Sequence, residues 1–113
     1  MNSLKNKVTL IGNVGDMPAM HVFEENKKIL KLMLATHETF INSDGDKITE
    51  TQWHRLVAFG KTADIMHKYL SKGSEIAVEG KLVNQSYINK DGEKTSIPEI
   101  QVNDFLMIGG IKG

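Results

Sequence analysis

Hydrophobic side chains recur mostly at every second position of this chain, which is the period of a β-strand with two different faces. Branched and aromatic residues are concentrated in the same segments, and Gly, Asn and Asp residues separate them. Breaks are predicted at residues 15–18 and 24–26, and a short extended piece lies between them at residues 21–23. The pattern predicts five strands, at residues 7–14, 29–36, 48–59, 74–87 and 95–108.

One segment has the period of a helix instead. Between residues 61 and 70, apolar side chains recur at three- and four-residue intervals, and Gly73 follows at a position typical of a helix end. Polar turns at residues 42–46 and 90–93 predict two hairpins, with Phe40 and Ile41 beyond the end of the second strand. Pro98 has no backbone N–H, so its strand is expected at a sheet edge or beyond the sheet.

Three strands, a helix and two strands form the element order of the OB-fold, a small Greek-key barrel. We therefore predict an all-β, five-stranded OB-fold barrel with one helix between strands three and four. The 113 residues suffice for one domain, which we assign to residues 1–110, with a short end at 111–113. We expect no internal repeat.

The third predicted strand carries the strongest candidate for a functional surface. Trp53, Arg55, Val57 and Phe59 fall on one face at a two-residue period. Aromatic rings stack on nucleobases, and a guanidinium binds phosphate or lies flat on a base. The pattern predicts a platform for unpaired nucleic acid, although in this strand taken alone two rings are more often ordinary core residues.

Composition narrows the classes of function. Fourteen basic residues balance fourteen acidic ones, and Arg55 is the only arginine. Duplex-DNA binders are usually more basic, so we expect binding to rely on stacking more than on phosphate neutralisation. The chain contains no cysteine, and no apolar run approaches the roughly 18 residues of a membrane span. We expect a cytoplasmic protein without membrane contact.

No pattern of catalytic or metal-binding residues emerges. The four histidines, at positions 21, 37, 54 and 67, have no ligand spacing with one another or with carboxylates. The acidic pairs at 24–25 and 44/46 lie in predicted turns, and neither a phosphate-binding loop nor a catalytic triad is present. We expect no enzyme, no metal and no cofactor.

Short strings of residues run through the whole chain: Asn6-Lys7-Val8, Ile11-Gly12-Asn13-Val14-Gly15, Leu34-Ala35-Thr36, Trp53-His54-Arg55, Phe59-Gly60-Lys61, Tyr69-Leu70, Lys72-Gly73-Ser74, Glu79-Gly80 and Met107-Ile108-Gly109-Gly110. In this order and spacing they resemble the bacterial single-stranded DNA-binding protein family. Trp-His-Arg followed by Phe-Gly-Lys is the most specific part of the resemblance.

The resemblance implies an OB barrel, a homotetramer, and coating of single-stranded DNA without strong sequence preference in replication, recombination and repair, at the nucleoid. It implies that His54 lies near subunit contacts. The base-stacking and phosphate-contacting positions that it implies are Phe40, Trp53, Phe59 and Tyr87 for stacking, and Lys7, Arg55, Lys61 and Lys72 for phosphate.

The chain departs from the family pattern in its groove. Phe40 and Tyr87 stand where well-studied members carry tryptophan, and both offer less stacking area. Family members often have cations where this chain has Val83, Gln85 and Ser86. Fewer cations release fewer counterions, so binding should be weaker and less salt-dependent than is typical of the family.

The chain also departs from the family at its end. Family members usually continue through a flexible linker to an acidic tip that recruits other proteins, whereas this sequence stops at Ile111-Lys112-Gly113. Tail-mediated recruitment is therefore in question, and the sequence fits either a shortened piece or a short relative from a phage or mobile element. Two alternative functions stay open: a dimeric primosomal OB protein similar to the replication-restart factor, and an OB scaffold that has lost nucleic-acid binding.

Overall fold

A computed structural model describes residues 3–16, 19–23 and 27–108. Within these ranges the elements are a 3-10 turn at Ser3–Asn6, β1 (Val8–Val14), β2 (Ala19–Phe23), β3 (Lys27–Ile41), β4 (Lys47–Phe59), α1 (Gly60–Tyr69), β5 (Glu75–Ile88) and β6 (Lys94–Met107). β2 is the predicted short extended piece. The predicted turn at 24–26, part of the break at 15–18, and the chain end at 109–113 lie outside the described residues.

The strands close into a barrel because β1 changes partner along its length. Val8 to Asn13 pair with β5, and Asn13 and Val14 pair with β3. From β5 the sheet continues through β6, β4 and β3, with β2 added to β3. The β4–β6 contact is the parallel one, at Leu56 with Ile100 and Val57 with Gln101. The predicted five-stranded OB barrel, with its helix between the third and fourth main strands, is confirmed.

Gly12 makes this closure sterically possible. A Cβ atom at Gly12 would lie 2.2 Å from the carbonyl oxygen of Ala35 on β3. Any side chain would therefore push β1 away from β3 at the point where the two strands begin to pair. Gly12 thus lies one residue before Asn13, where β1 is still paired with β5 and begins to pair with β3.

Alternate positions of the barrel strands supply the core. The largest fully buried side chains are Leu30, Leu34, Leu56, Met66, Ile76 and Val78. Helix α1 contributes Ala63 and Met66, and Leu70, at its C-terminal cap, adds a third buried side chain at the predicted helical spacing. The helix packs mainly against β3.

The β3–β4 hairpin extends further than its hydrophobic pattern predicts. Phe40 and Ile41 belong to β3 and do not lie beyond it, because pairing continues through Phe40 with Ile48 and Ile41 with Lys47. A Thr39–Thr49 hydrogen bond of 3.3 Å and a His37–Thr51 hydrogen bond of 3.0 Å connect this outer part of the hairpin. The hydrophobic pattern ends at Thr36 because the hairpin leaves the barrel there, although its backbone stays paired.

The β5–β6 hairpin also projects from the barrel. Pro98 pairs with Asn84 of β5, while β6 meets β4 only at Ile100 and Gln101. The edge position predicted for Pro98 is therefore confirmed. With both hairpins projecting, the radius of gyration is 16.2 Å, against about 13 Å expected for a compact chain of this length.

The tips of the two hairpins share a seven-residue turn motif. Each tip has the pattern Ile-Asn-X-Asp-Gly-acid-Lys. The Asn42 side-chain oxygen accepts hydrogen bonds from the backbone N–H groups of Asp44 and Asp46. Asn89 accepts the equivalent pair in the other tip. Each asparagine thus satisfies two backbone donors of a tight turn.

We predict that Gly12→Ala lowers the free energy of unfolding by about 3 kcal/mol, because the new methyl group meets backbone and not a movable side chain. Thermal unfolding followed by circular dichroism measures this loss. Thr9→Ala, at an exposed position of the same strand, is the control and should change stability by no more than about 0.5 kcal/mol. Equal melting temperatures for the Gly12 variant and the parent would contradict this account of barrel closure.

Candidate nucleic-acid interface

The outer face of β4 presents the rings that the sequence pattern predicted. Trp53 is 57% exposed and Phe59 is 42% exposed, with the exposed Arg55 between them. Leu56 and Ala58 point into the core instead. Neither ring is enclosed in the core, so both are available for stacking on a ligand.

The indole of Trp53 rests against the backbone of Gly15. A Cβ atom at Gly15 would lie 2.7 Å from Cζ3 of the indole, so only glycine lets the ring approach this closely. The Gly15 N–H donates a 2.8 Å hydrogen bond to the carbonyl of Met33, and this bond fixes the segment under the ring. Although more than half exposed, Trp53 is supported on one side by rigid backbone.

Arg55 and Met33 line two neighbouring cavities, which together we call the trough. The larger cavity, about 570 Å³, is lined by Trp53, Leu82, Ile97 and Pro98 among others. A smaller cavity of about 200 Å³ includes Asp16, Lys31 and Glu99 in its lining. The trough therefore leads from Trp53 past Arg55 to Lys31 and Glu99.

Tyr87 is connected to the Lys31 end of the trough. Its hydroxyl donates a hydrogen bond of 3.1 Å to Oε2 of Glu99, and Lys31 Nζ donates one of 3.3 Å to the same hydroxyl. A half-buried ring on the β5–β6 hairpin is thus linked to β6 and β3. Trp53, Arg55 and Tyr87 therefore belong to one surface.

Phe40 is separated from this surface. It is five residues along β3 from Ala35, the cross-strand partner of Trp53, which corresponds to about 17 Å at the rise of a strand. An odd number of steps also places Phe40 on the opposite face of the hairpin from Trp53. Its ring is 44% exposed. A ligand that contacts both rings has to pass around the hairpin.

The four predicted phosphate-contacting side chains have different surroundings. Lys7 forms an exposed ion pair of 3.4 Å with Glu79. Lys61 and Lys72 are exposed. Lys72 precedes Gly73, whose N–H donates to the carbonyl of Val14 over 2.8 Å, close to the segment beneath Trp53. Within the described ranges, no carboxylate lies at ion-pairing distance from Arg55.

The start of α1 departs from the usual chemistry of helix N-termini. Phe59 occupies the cap position without a capping hydrogen bond, and the first turn contains Lys61 and no acidic residue. Polar caps and acidic first turns stabilise helices, by about 1 kcal/mol for a cap. A ring and a cation at these positions are locally unfavourable, which is common where a residue serves a function.

His54 is half-buried, and although strand alternation turns its side chain away from that of Trp53, it also lines the larger cavity of the trough. Its Nε2 lies 2.9 Å from the Thr36 hydroxyl in a hydrogen bond between neighbouring strands. Across the described part of the chain, no group of three or more His, Asp or Glu side chains could hold a metal ion. A search of the same residues found no helix of sufficient length and apolarity to span a membrane.

The sequence pattern did not identify Lys31 or Glu99 as candidate site residues, although both line the trough. The register places Lys31 beside Val57 on the outer face, two residues from Met33, the partner of Arg55. The one sign of Glu99 in the sequence is that it is a single acidic residue between Pro98 and Ile100 in a predicted strand. Its contact with Tyr87 depends on the path of the hairpin.

We predict that Gly15→Ala displaces the Trp53 indole, at a cost of about 0.5–1.5 kcal/mol if the ring has to leave its rotamer. The expected results are a shifted emission spectrum of the single tryptophan and a several-fold weaker affinity for a labelled dT oligomer. In a Trp53→Phe background, which lacks the clashing ring atoms, Gly15→Ala should have no further effect. An equal loss in both backgrounds would show that Gly15 acts on another group.

Comparison with known proteins gives a consistent assignment. Residues 5–108 match the Single-strand binding protein family. Single-stranded DNA-binding protein 1 of Chlorobaculum tepidum is 41% identical over 105 residues, which are 92% of this chain and 65% of that protein. A relative from Xanthomonas axonopodis is 38% identical over 93% of this chain and 58% of its own length. The chain therefore spans less than two thirds of both relatives.

Other relatives and solved structures extend the comparison. Single-stranded DNA-binding protein 1 of Xylella fastidiosa is 37% identical, over 92% of this chain and 77% of that protein. The Plasmodium falciparum SSB complex with ssDNA has a TM-score of 0.82 at 28% identity, covering 91% of this chain and 94% of that one. A deletion mutant of the Thermus aquaticus single-stranded DNA binding protein has a TM-score of 0.78 at 31% identity, covering 93% of this chain and 51% of that one. This chain belongs to the single-strand binding protein family.

Proposed function

We propose that this protein binds single-stranded DNA without strong sequence preference and performs no catalysis. The observation that carries the proposal is an exposed indole, supported on Gly15, at one end of a trough that contains Arg55 and leads to Tyr87. Family membership and the naming of its relatives as single-stranded DNA-binding proteins support the same ligand.

In this mechanism, bases stack on Trp53, Phe59 and Tyr87, while Arg55 and the lysines follow the phosphates. Stacking contributes roughly 1–3 kcal/mol per base and does not depend on base edges, so sequence preference should be slight. Phe40, on the other face of its hairpin, engages the strand only where the DNA wraps around that hairpin.

We also propose that the protein coats exposed DNA during replication, recombination and repair, in the cytoplasm at the nucleoid, as a homotetramer. An exposed apolar row across β1, β5 and β6 supports self-association. Ile11 is 57% exposed and Leu106 is 68% exposed, and Ala77 pairs with both. His54 belongs to the proposed subunit contacts. A dimeric primosomal protein is the alternative, and molar mass in solution distinguishes the two.

A second candidate function is an OB scaffold that no longer binds nucleic acid. The balanced charge of the chain favours it, since polyanion binding normally uses excess cations. Asp16 and Glu99 in the trough also favour it. A mobility shift with dT oligomers at low salt separates the candidates, because the scaffold leaves the oligomer unshifted.

We predict that Trp53→Ala weakens binding of a fluorescein-labelled dT oligomer by about 1–3 kcal/mol, the contribution of one stacked base. Fluorescence anisotropy is the measurement, because the variant lacks the only tryptophan. Tyr69→Ala is the matched control: Tyr69 is a 43% exposed ring on the helix, and its loss should leave affinity unchanged. Unchanged affinity in the Trp53 variant would remove Trp53 from the site.

We predict a shallow salt dependence. Four phosphate contacts correspond to a slope of about −3 in a plot of log K against log salt, at about −0.7 per contact for single strands. Lys61→Ala should reduce the slope by about 0.7, whereas Lys68→Ala, on the helix beside Tyr69, should leave it unchanged. A slope near zero with intact binding would contradict the assigned phosphate contacts.

A further inference from the structure

We propose that Glu99 and Lys31 are positioning residues for the Tyr87 ring, which they hold as a stacking surface at the end of the trough. The inference rests on the proposed function, because it treats Tyr87 as a residue that meets bases. Neither Glu99 nor Lys31 belongs to the phosphate-contacting or stacking sets implied by the family resemblance. Both act through the tyrosine hydroxyl.

The hydrogen bond to Glu99 orients the Tyr87 ring along its hairpin. Tyr87 pairs with Thr95 across the hairpin, yet its hydroxyl donates to Glu99, four residues further along β6 toward the barrel. The side chain therefore extends along the strand direction and not straight out from the sheet. Glu99 is 4% exposed, so the acceptor of this hydrogen bond is fixed by its surroundings.

Lys31 holds the same hydroxyl from the barrel. Its Nζ is 3.3 Å from the hydroxyl oxygen and 5.5 Å from the ring centroid. The second distance lies within the range of a cation–π contact, but the ammonium is nearer to the hydroxyl end than to the ring centre. Lys31 therefore secures the edge of the ring and does not cover its centre, where a base would stack.

A ring held in this way should bind a base more tightly than a mobile one. Immobilising one flexible side chain at an interface costs an amount equivalent to about a 3- to 10-fold change in affinity, and a ring ordered beforehand avoids that cost. Ordering the ring beforehand matters for tyrosine in particular, because tyrosine offers less stacking area than tryptophan would at the same position.

Removal of Glu99 distinguishes a positioning role from a purely electrostatic one, because the two roles predict opposite changes in affinity for DNA. A carboxylate in a groove that binds a polyanion opposes binding, so its loss through charge alone would strengthen affinity. Loss of the positioning contact would weaken it. Glu99→Leu removes both the charge and the hydrogen-bond acceptor, whereas Glu99→Gln removes the charge and keeps an oxygen acceptor.

We expect Glu99→Leu to bind a labelled dT oligomer about 3- to 10-fold more weakly than the parent, and Glu99→Gln to restore most of the loss. Tyr87→Phe, which keeps the ring and loses the hydroxyl, should be weakened to a similar extent and serves if Glu99→Leu does not fold. None of these variants should change the salt slope, since none removes a phosphate contact.

Equal or tighter binding by Glu99→Leu or Tyr87→Phe would overturn the inference, as would equal effects of Glu99→Leu and Glu99→Gln. The parent and Trp53→Ala, measured alongside, keep this failure distinct from failure of the proposed function. Parent binding that depends on Trp53, with Tyr87→Phe unaffected, rejects the positioning role alone. A parent that does not bind the oligomer rejects both.

Discussion

The passage of β1 from β5 to β3 is the constraint on which the rest of the molecule depends. Gly12 permits the close approach to β3, and pairing then continues at Asn13 and Val14. The carbonyl and N–H of Val14 bond to Gly73 and Ser74, so the loop that carries Lys72 is attached to the same segment. One residue later, Gly15 supports the indole of Trp53. Barrel closure and the placement of the Trp53 ring thus depend on the same short segment of backbone.

The trough combines charges of both signs, which distinguishes it from a simple cationic groove. Lys31 and Arg55 line it together with Asp16 and the buried Glu99. A strand of DNA that crosses such a surface gains little from counterion release, and aromatic rings have to supply most of the affinity. The neutral net charge of the chain and the support given to Trp53 and Tyr87 are consistent with this division of roles.

Sequence reasoning succeeded where side-chain alternation coincides with burial. It identified the strands of the barrel, the helix, and the shared face of Trp53, Arg55 and Phe59, because a two-residue period is visible locally. It was wrong about the end of the second predicted strand, because Phe40 belongs to β3 and does not lie beyond it. Beyond Thr36 the hairpin has no core to cover, so its hydrophobic pattern carries no information about its length or direction.

By itself, the sequence determined the order of the elements, the family, and which face of β4 would be aromatic, because these follow from local periodicity and from strings of neighbouring residues. Tertiary structure alone decided that Gly15 lies beneath Trp53 and that Lys31 and Glu99 meet at the Tyr87 hydroxyl. Gly15 and Trp53 are 38 positions apart in the sequence, Lys31 and Tyr87 are 56 apart, and Tyr87 and Glu99 are 12 apart. Their formation depends on how β1 crosses the barrel and how the hairpins twist, which no local pattern encodes.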